Sequence, residues 1–68
     1  MKHEYIKGLL INERRQCSFL IIECQGYLDM PSISPEEKEI YQTVIDKAYA
    51  RSKELNEMIA IFNDEKAN

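Results

Sequence analysis

The fold is decided by the second half of the chain, where residues 34–63 read SPEEKEIYQTVIDKAYARSKELNEMIAIFN. Ser34 offers a capping hydroxyl, Pro35 suits the first helical position, and Glu37 stands where a capping box places its acid. Behind this start, apolar residues recur at helical spacing with only Arg51 interrupting the row: Tyr41, Val44, Ala48, Leu55, Met58 and Phe62. The pattern predicts a helix over about 35–62 and a frayed tail at 63–68.

The first half of the chain predicts another helix, over about residues 3–25. Its apolar residues also follow the helical period: Ile6, Leu10, Cys17, Leu20 and Cys24. Gly26 is the predicted C-terminal cap, because glycine readily takes the left-handed conformation that ends a helix. The polar run 12–16 leaves open a break near Asn12. Residues 17–22 could form a strand, but no partner strand is available, so we interpret them as helical.

Two amphipathic helices joined by an apolar loop at 26–34 predict an all-α fold, an antiparallel two-helix hairpin. In the expected register Leu20 faces residues 40–44 and Leu10 faces residues 50–55, which brings Arg51 near Glu13. We therefore expect an ion pair or buried polar layer between Glu13 and Arg51, with Ser52 or Asn56 as candidate further members. Such a layer typically fixes register rather than adding net stability.

A single hairpin can cover only one face of each helix, and several apolar residues lie off the predicted seam. These are Leu9, Phe19, Ile22 and Ile61. The sequence therefore predicts that a partner covers them, and a second copy is the simplest one. A homodimer related by a two-fold axis would close a four-helix bundle.

Length, charge and cysteine spacing limit the possible functions. The chain has 68 residues and a net charge of -3, so it forms one small domain without an overall positive field for nucleic acid or anionic lipid. No apolar run approaches the ~20 residues of a membrane span, and we expect a cytoplasmic protein. Cys17 and Cys24 would lie roughly 10.5 Å apart on one helix, too far for a disulfide, which predicts reduced thiols.

Catalytic and metal-binding constellations are poorly supported by the sequence. One histidine, His3, and two cysteines without a Cys-x-x-Cys pair do not make a structural zinc site, and no cofactor motif is found. Neither thiol has a neighbouring base that would activate it as a nucleophile. The acidic cluster Glu36, Glu37 and Glu39 complements the dipole of the second helix. We therefore expect a protein that is not an enzyme.

Two groups of residues are candidates for binding a partner protein. The loop carries more apolar side chains than a solvated linker usually does, namely Tyr27, Leu28, Met30 and Ile33. Arg14 and Arg15 form a basic pair suited to an acidic partner. Nucleic-acid binding through these arginines is an alternative, which the acidic surroundings and the lack of interleaved aromatic residues disfavour.

Residues 52–62, SKELNEMIAIF, resemble the Ser-x-Glu-Leu-Asp signature of the small sporulation aspartyl-phosphate phosphatases of Gram-positive bacteria. Those proteins are helical hairpins of similar length. The resemblance implies docking on a response regulator and hydrolysis of its phosphoaspartate, with Ser52, Glu54, Leu55 and Asn56 at the matching positions. Asn56 stands where the family has an acid.

The leading interpretation is a small regulatory or inhibitory protein that acts by protein–protein binding. It follows from the lack of a catalytic constellation together with more apolar helix surface than one hairpin can bury. By analogy, small acidic helical proteins of this kind are often bacterial or phage inhibitors of a larger protein. The phosphatase and the nucleic-acid-associated protein are the alternatives.

Overall fold

The computed structural model describes residues 2–67 of the chain, and the side chains of residues 3–63. Helix α1 covers Lys2–Leu28 and helix α2 covers Pro35–Ala67, with a six-residue connection at 29–34. The helices pack against each other along their length in a rod of 52 × 15 × 13 Å. Within the described residues there is no strand, and the predicted all-α two-helix hairpin is confirmed.

Helix α2 begins with the predicted capping box. The Glu37 N–H donates to the Ser34 Oγ at 3.2 Å, and the Ser34 N–H donates back to the Glu37 carboxylate at 3.4 Å. The Lys38 N–H donates to the Ser34 carbonyl at 3.0 Å and closes the first helical turn. Pro35 has no backbone N–H that could be left unpaired. The capping box and the proline therefore reduce the number of unpaired backbone N–H groups in the first turn of α2.

The predicted end of α1 at residue 25 is wrong, because Gly26 lies inside the helix. No glycine in the described chain has a positive φ, so Gly26 is not a left-handed cap. Helix α1 continues to Leu28, and the Asp29 N–H still donates to the Gln25 carbonyl at 3.2 Å. Pro31 supplies the stop, since the residue before a proline is disfavoured in the helical region. Tyr27 and Leu28, predicted in the loop, therefore belong to α1.

Both helices are longer than predicted. Helix α1 is unbroken at Asn12, which settles the question left open by the polar run 12–16. Helix α2 extends beyond residue 62 to Ala67, so the residues expected to fray are helical up to that point. Asn68, the last residue of the predicted tail, lies outside the described residues.

The core is a narrow seam between the two helices. Its buried side chains are Ile21, Cys24, Ile45, Ala48, Leu55 and Ile59. Leu55 has no exposed surface at all. Cys24 is buried and Cys17 is half-buried, and both are free thiols that pack as apolar groups. On α2, Ala48 and Leu55 belong to the predicted row, and Ile45 and Ile59 lie beside it. On α1 the prediction is partly wrong: Ile21 is buried, whereas Ile6 and Leu20 of the predicted row are 45% and 46% exposed.

The register of the helices is close to the expected one on one edge and shifted on the other. Glu13 contacts Arg51, as predicted. On the opposite edge the Lys7 Nζ donates to Asn63 and Arg14 donates to Asn56, further toward the C-terminus of α2 than expected. The connection is three residues shorter than the predicted loop 26–34. Because α1 continues to Leu28, its residues on this edge face later positions of α2 than predicted.

Candidate functional site

An open groove of about 460 Å³ runs between the helices on one edge of the hairpin. Four residues of α1 and two of α2 line it: Ile11, Arg14, Arg15, Ser18, Ser52 and Asn56. The α1 residues are spaced by three or four, and Ser52 and Asn56 are four apart, so each set lies on one stripe of its helix. We call this feature the Arg14 groove.

The Arg14 groove is cationic and rich in hydrogen-bond donors. The Arg14 Nη1 donates to the Asn56 Oδ1 at 2.7 Å, which fixes both side chains across the helix interface. The Ser18 hydroxyl donates to the Arg14 carbonyl at 3.3 Å. None of the six lining side chains carries a carboxylate, and Arg15 makes no ion pair within the described residues. The groove therefore suits an anionic group such as a carboxylate or phosphate.

The opposite edge carries the predicted pair of Glu13 and Arg51. The Arg51 Nε donates to the Glu13 Oε2 at 2.7 Å, and Glu54 lies 3.9 Å from Arg51. The hydrogen bond that Arg51 donates to Glu13, and then the negative charge of Glu13, raise the pKa of Arg51 above the ordinary value for arginine. The pair is confirmed, but the expectation of a buried layer is wrong, because the two side chains remain 42% and 47% exposed.

The residues at the family-matched positions do not form a single site. Ser52 and Asn56 line the Arg14 groove, and neither joins the pair of Glu13 and Arg51. Leu55 is wholly buried in the core, and Glu54 lies on the opposite edge beside Arg51. The sequence presents the arginine pair 14–15 and the segment 52–56 as separate features. Residues of both line one groove because of the register of α1 against α2.

The apolar residues predicted for partner binding around the loop divide into two kinds. Leu28 and Ile33 are half-buried and close the end of the hairpin, with Leu28 packed on the core. Tyr27 stacks on Tyr41, with ring centroids 5.1 Å apart and planes 13° apart. Met30 is 49% exposed. Of these four residues, only Met30 and Tyr27, which is 42% exposed, present appreciable surface.

Metal-binding and membrane-spanning features can be assessed for the part of the chain that the structure describes. There, no three His, Cys, Asp or Glu side chains are grouped so that they could hold a metal ion. His3 lies edge-on to the Phe62 ring, with centroids 5.9 Å apart, where it packs across the ends of the helices. Neither helix is long and apolar enough to cross a membrane.

The chain was compared with models of protein families, with curated proteins and with solved structures, and nothing matches in any of the three. The function is therefore inferred from the chemistry of the Arg14 groove and from the faces of the hairpin.

Proposed function

We propose that this protein is a small regulatory or inhibitory protein that self-associates and binds an anionic surface of another protein through the Arg14 groove. The observation that carries the proposal is a groove with two arginines and three neutral hydrogen-bonding side chains, and no carboxylate among its lining residues. The chain as a whole has a net charge of -3. A local cationic groove on an acidic protein favours one binding edge over the rest of the surface.

The groove favours an acidic protein surface over nucleic acid. An arginine guanidinium can hold a carboxylate by two parallel hydrogen bonds, and Arg14 is already positioned by Asn56. The only apolar side chain in the lining is Ile11, so no aromatic ring is available to stack on a base. Both walls of the groove are helical, and little backbone order has to be gained on binding.

A titration followed by NMR tests the groove. Uniformly ¹⁵N-labelled protein is titrated with a soluble peptide rich in aspartate and glutamate, and we expect the largest shifts at Arg15, Ser18, Ser52 and Asn56. The double variant Arg14→Gln/Arg15→Gln should weaken binding about tenfold or more, since charged hydrogen bonds are each worth about 1.5–3 kcal/mol.

The matched control removes two positive charges elsewhere on α2, in the variant Lys38→Gln/Lys47→Gln. Both lysines are exposed and lie outside the groove. Binding should fall only slightly in this control, through the change in net charge. Equal losses in the two variants, or shifts spread away from the groove, would count against a specific site.

The second candidate function is hydrolysis of a phosphoaspartate on a response regulator. It is favoured by one observation, that Ser52 and Asn56 line the same groove as Arg14 and Arg15. In that position the arginines could stabilise the charge of a phosphoryl group, and the Ser52 hydroxyl and the Asn56 amide could orient the attacking water. The groove lining has no carboxylate to act as a general base, so any acceleration would come from orientation and charge.

Release of phosphate from phosphorylated receiver domains tests this second candidate. Acceleration by the wild-type protein is expected, with slower release for Ser52→Ala. The resemblance alone predicts that Glu54→Ala is also slow, whereas the groove predicts little effect, because Glu54 lies on the opposite edge. If no receiver domain in a panel loses phosphate faster with the protein than without it, the hydrolytic function is excluded and only the binding function remains.

A further inference from the structure

A second apolar row follows the edge of the hairpin that carries Glu13 and Arg51. On α1, residues spaced by seven are Ile6, Glu13, Leu20 and Tyr27, and the same spacing on α2 gives Val44, Arg51 and Met58. Ile6, Leu20 and Tyr27 are exposed, and Val44 and Met58 are half-buried. We call this surface the Leu20 face. Rows with a period of seven are typical of helices that pack along their whole length against a neighbour.

The hairpin alone covers the Leu20 face only in part. Val44 packs on the core and Tyr27 stacks on Tyr41, whereas Ile6 and Leu20 remain 45% and 46% exposed. Each helix already packs on the other through the core seam, where only six of the side chains described, those of residues 3–63, are buried. A seven-residue row beside that seam is what a helix shows when it has a second helical neighbour. The small number of buried side chains also leaves the hairpin short of the apolar burial that a domain of this size normally needs.

The charges on the Leu20 face identify the neighbour. Helix α1 spans 27 residues and α2 spans 33, so Glu13 and Arg51 lie near the middle of both helices. Apolar residues lie above and below the charged pair on each helix. Consider two copies related by a two-fold axis parallel to the helices, with their Leu20 faces in contact. Helix α1 of one copy then packs on α2 of the other, and residues at the same height meet. Apolar residues therefore contact apolar residues, and Glu13 of one copy lies against Arg51 of the other.

The other way to pack two such faces is less favourable. A two-fold axis perpendicular to the helices would place α1 on α1 of the copy, so that Glu13 opposed Glu13 and Arg51 opposed Arg51. Like charges directly opposite each other in an interface are destabilising. Both arrangements make every neighbouring pair of helices antiparallel, as in an up-and-down four-helix bundle, and only the first has opposite charges in contact.

We infer that a second copy of this chain covers the Leu20 face, with a two-fold axis parallel to the helices and both loops at the same end of a four-helix bundle. The contact rests on the self-association proposed above and adds its surface and its symmetry. It leaves the Arg14 groove, on the opposite edge, open to another protein. The dimer would then present two such grooves.

Light scattering on a size-exclusion column, repeated over a range of concentrations, gives the first test. We expect a molar mass twice the 8.0 kDa of one chain. Leu20→Lys, at a side chain 46% exposed in the hairpin, should raise the dimer dissociation constant at least tenfold. The matched control is Ile22→Lys. The sequence predicts that a partner covers Ile22, but this residue is 62% exposed and lies about 200° around α1 from Leu20, outside the Leu20 face, so the change should leave the dimer intact.

Circular dichroism on each variant confirms that the helices persist, so that a loss of mass reports on the interface. A wild-type protein that is monomeric throughout would overturn both the self-association and the Leu20 face. A dimer that Leu20→Lys does not weaken would overturn the Leu20 face alone and leave the self-association standing. Binding of the acidic peptide is measured separately, so its failure is distinguishable from either result.

Spin labels in the loop test the symmetry. A single label is placed by Ser32→Cys in a background of Cys17→Ser and Cys24→Ala, and the distance between the two labels of a dimer is measured by pulsed electron resonance. Packed helices lie 8–10 Å apart, so loops at the same end should give a separation of roughly 10–30 Å. A separation near the 52 Å length of the hairpin would place the loops at opposite ends and overturn the parallel axis.

Discussion

The two halves of the hairpin are held together differently. In the loop half, residues 17–48, both helices contribute buried side chains, namely Ile21, Cys24, Ile45 and Ala48. In the terminal half, residues 3–14 and 51–63, the buried side chains Leu55 and Ile59 come from α2 alone, and α1 offers only half-buried or exposed ones. The cross-helix polar contacts of Lys7, Glu13 and Arg14 all lie in this terminal half.

The difference follows from the distance along the chain. A short connection brings the two helices of the loop half together, so little loop-closure entropy opposes their packing there. Contacts near the chain ends join residues far apart in the sequence, such as Lys7 and Asn63 at a separation of 56 positions, and they depend on the rest of the seam being formed. Directional polar contacts in the terminal half then specify which residues meet, whereas apolar burial supplies most of the stability.

The largest expected effect is that of Leu55→Ala in the terminal half. Leu55 is the one described side chain of appreciable size with no exposed surface, and Leu→Ala changes in cores cost about 2–5 kcal/mol. We expect a loss of this size in the free energy of unfolding, measured by urea titration with circular dichroism. Ile22→Ala, at an exposed position in the loop half, should cost less than about 0.5 kcal/mol.

Hydrogen exchange on the same variants sharpens the comparison between the halves. If the terminal half depends on Leu55, then Leu55→Ala should speed exchange most at amides of residues 5–13 and 54–61. Amides around Ile21 and Ile45 should remain the slower ones. Uniform acceleration along both helices would show that the hairpin opens as a single unit, and the contrast between the halves would be lost.

The two glycines offer a matched pair of smaller changes, one in each half. Gly26 in the loop half and Gly8 in the terminal half are both helical, and a Cβ at either position would meet no atom within 4 Å. Gly26→Ala and Gly8→Ala should each stabilise the protein by about 0.5–1 kcal/mol, because glycine loses more conformational freedom on folding than alanine.

Thermal unfolding of the two glycine variants checks this expectation. Gly26→Ala should raise the midpoint of unfolding, because we expect the loop half to open last. Gly8→Ala should instead appear chiefly as greater helicity before the main transition, where the terminal half frays. A destabilised Gly26→Ala protein would mean that Gly26 takes a left-handed conformation as a cap after all, and would contradict the continuous α1.

These contrasts also explain which features the sequence could predict. The capping box of Ser34 and Glu37 is local, and it was predicted correctly from four residues. The pair of Glu13 and Arg51 was predicted because each is the charged interruption of an apolar row. Gly26 misled the prediction, since glycine marks a helix end only when the backbone there turns left-handed, and Pro31 five residues later sets the real end.

The Arg14 groove could not be predicted from the sequence. Arg14 and Arg15 lie 37 or more positions before Ser52 and Asn56, and only the register of the two helices brings them together. The expected register placed Arg14 near earlier residues of α2, because it assumed a loop three residues longer. A small error in the length of a helix thus separates residues that in fact line one site.

The smallest expected effect concerns Lys7 and Asn63, a cross-helix hydrogen bond near the chain ends. Both side chains are near the surface, so a double-mutant cycle with Lys7→Met and Asn63→Ala should give a coupling of about 0.5 kcal/mol or less. Gln42 and Asp46, hydrogen-bonded at 3.1 Å within α2 in the loop half, form the control pair. That local contact should give a coupling of about 0.2–0.5 kcal/mol without altering hydrogen exchange elsewhere.

Hydrogen exchange on the Lys7 and Asn63 variants tests whether this contact sets the register of the terminal half. If it does, removing it should speed exchange across residues 3–10. An unchanged exchange pattern there would mean that the apolar seam alone sets the register.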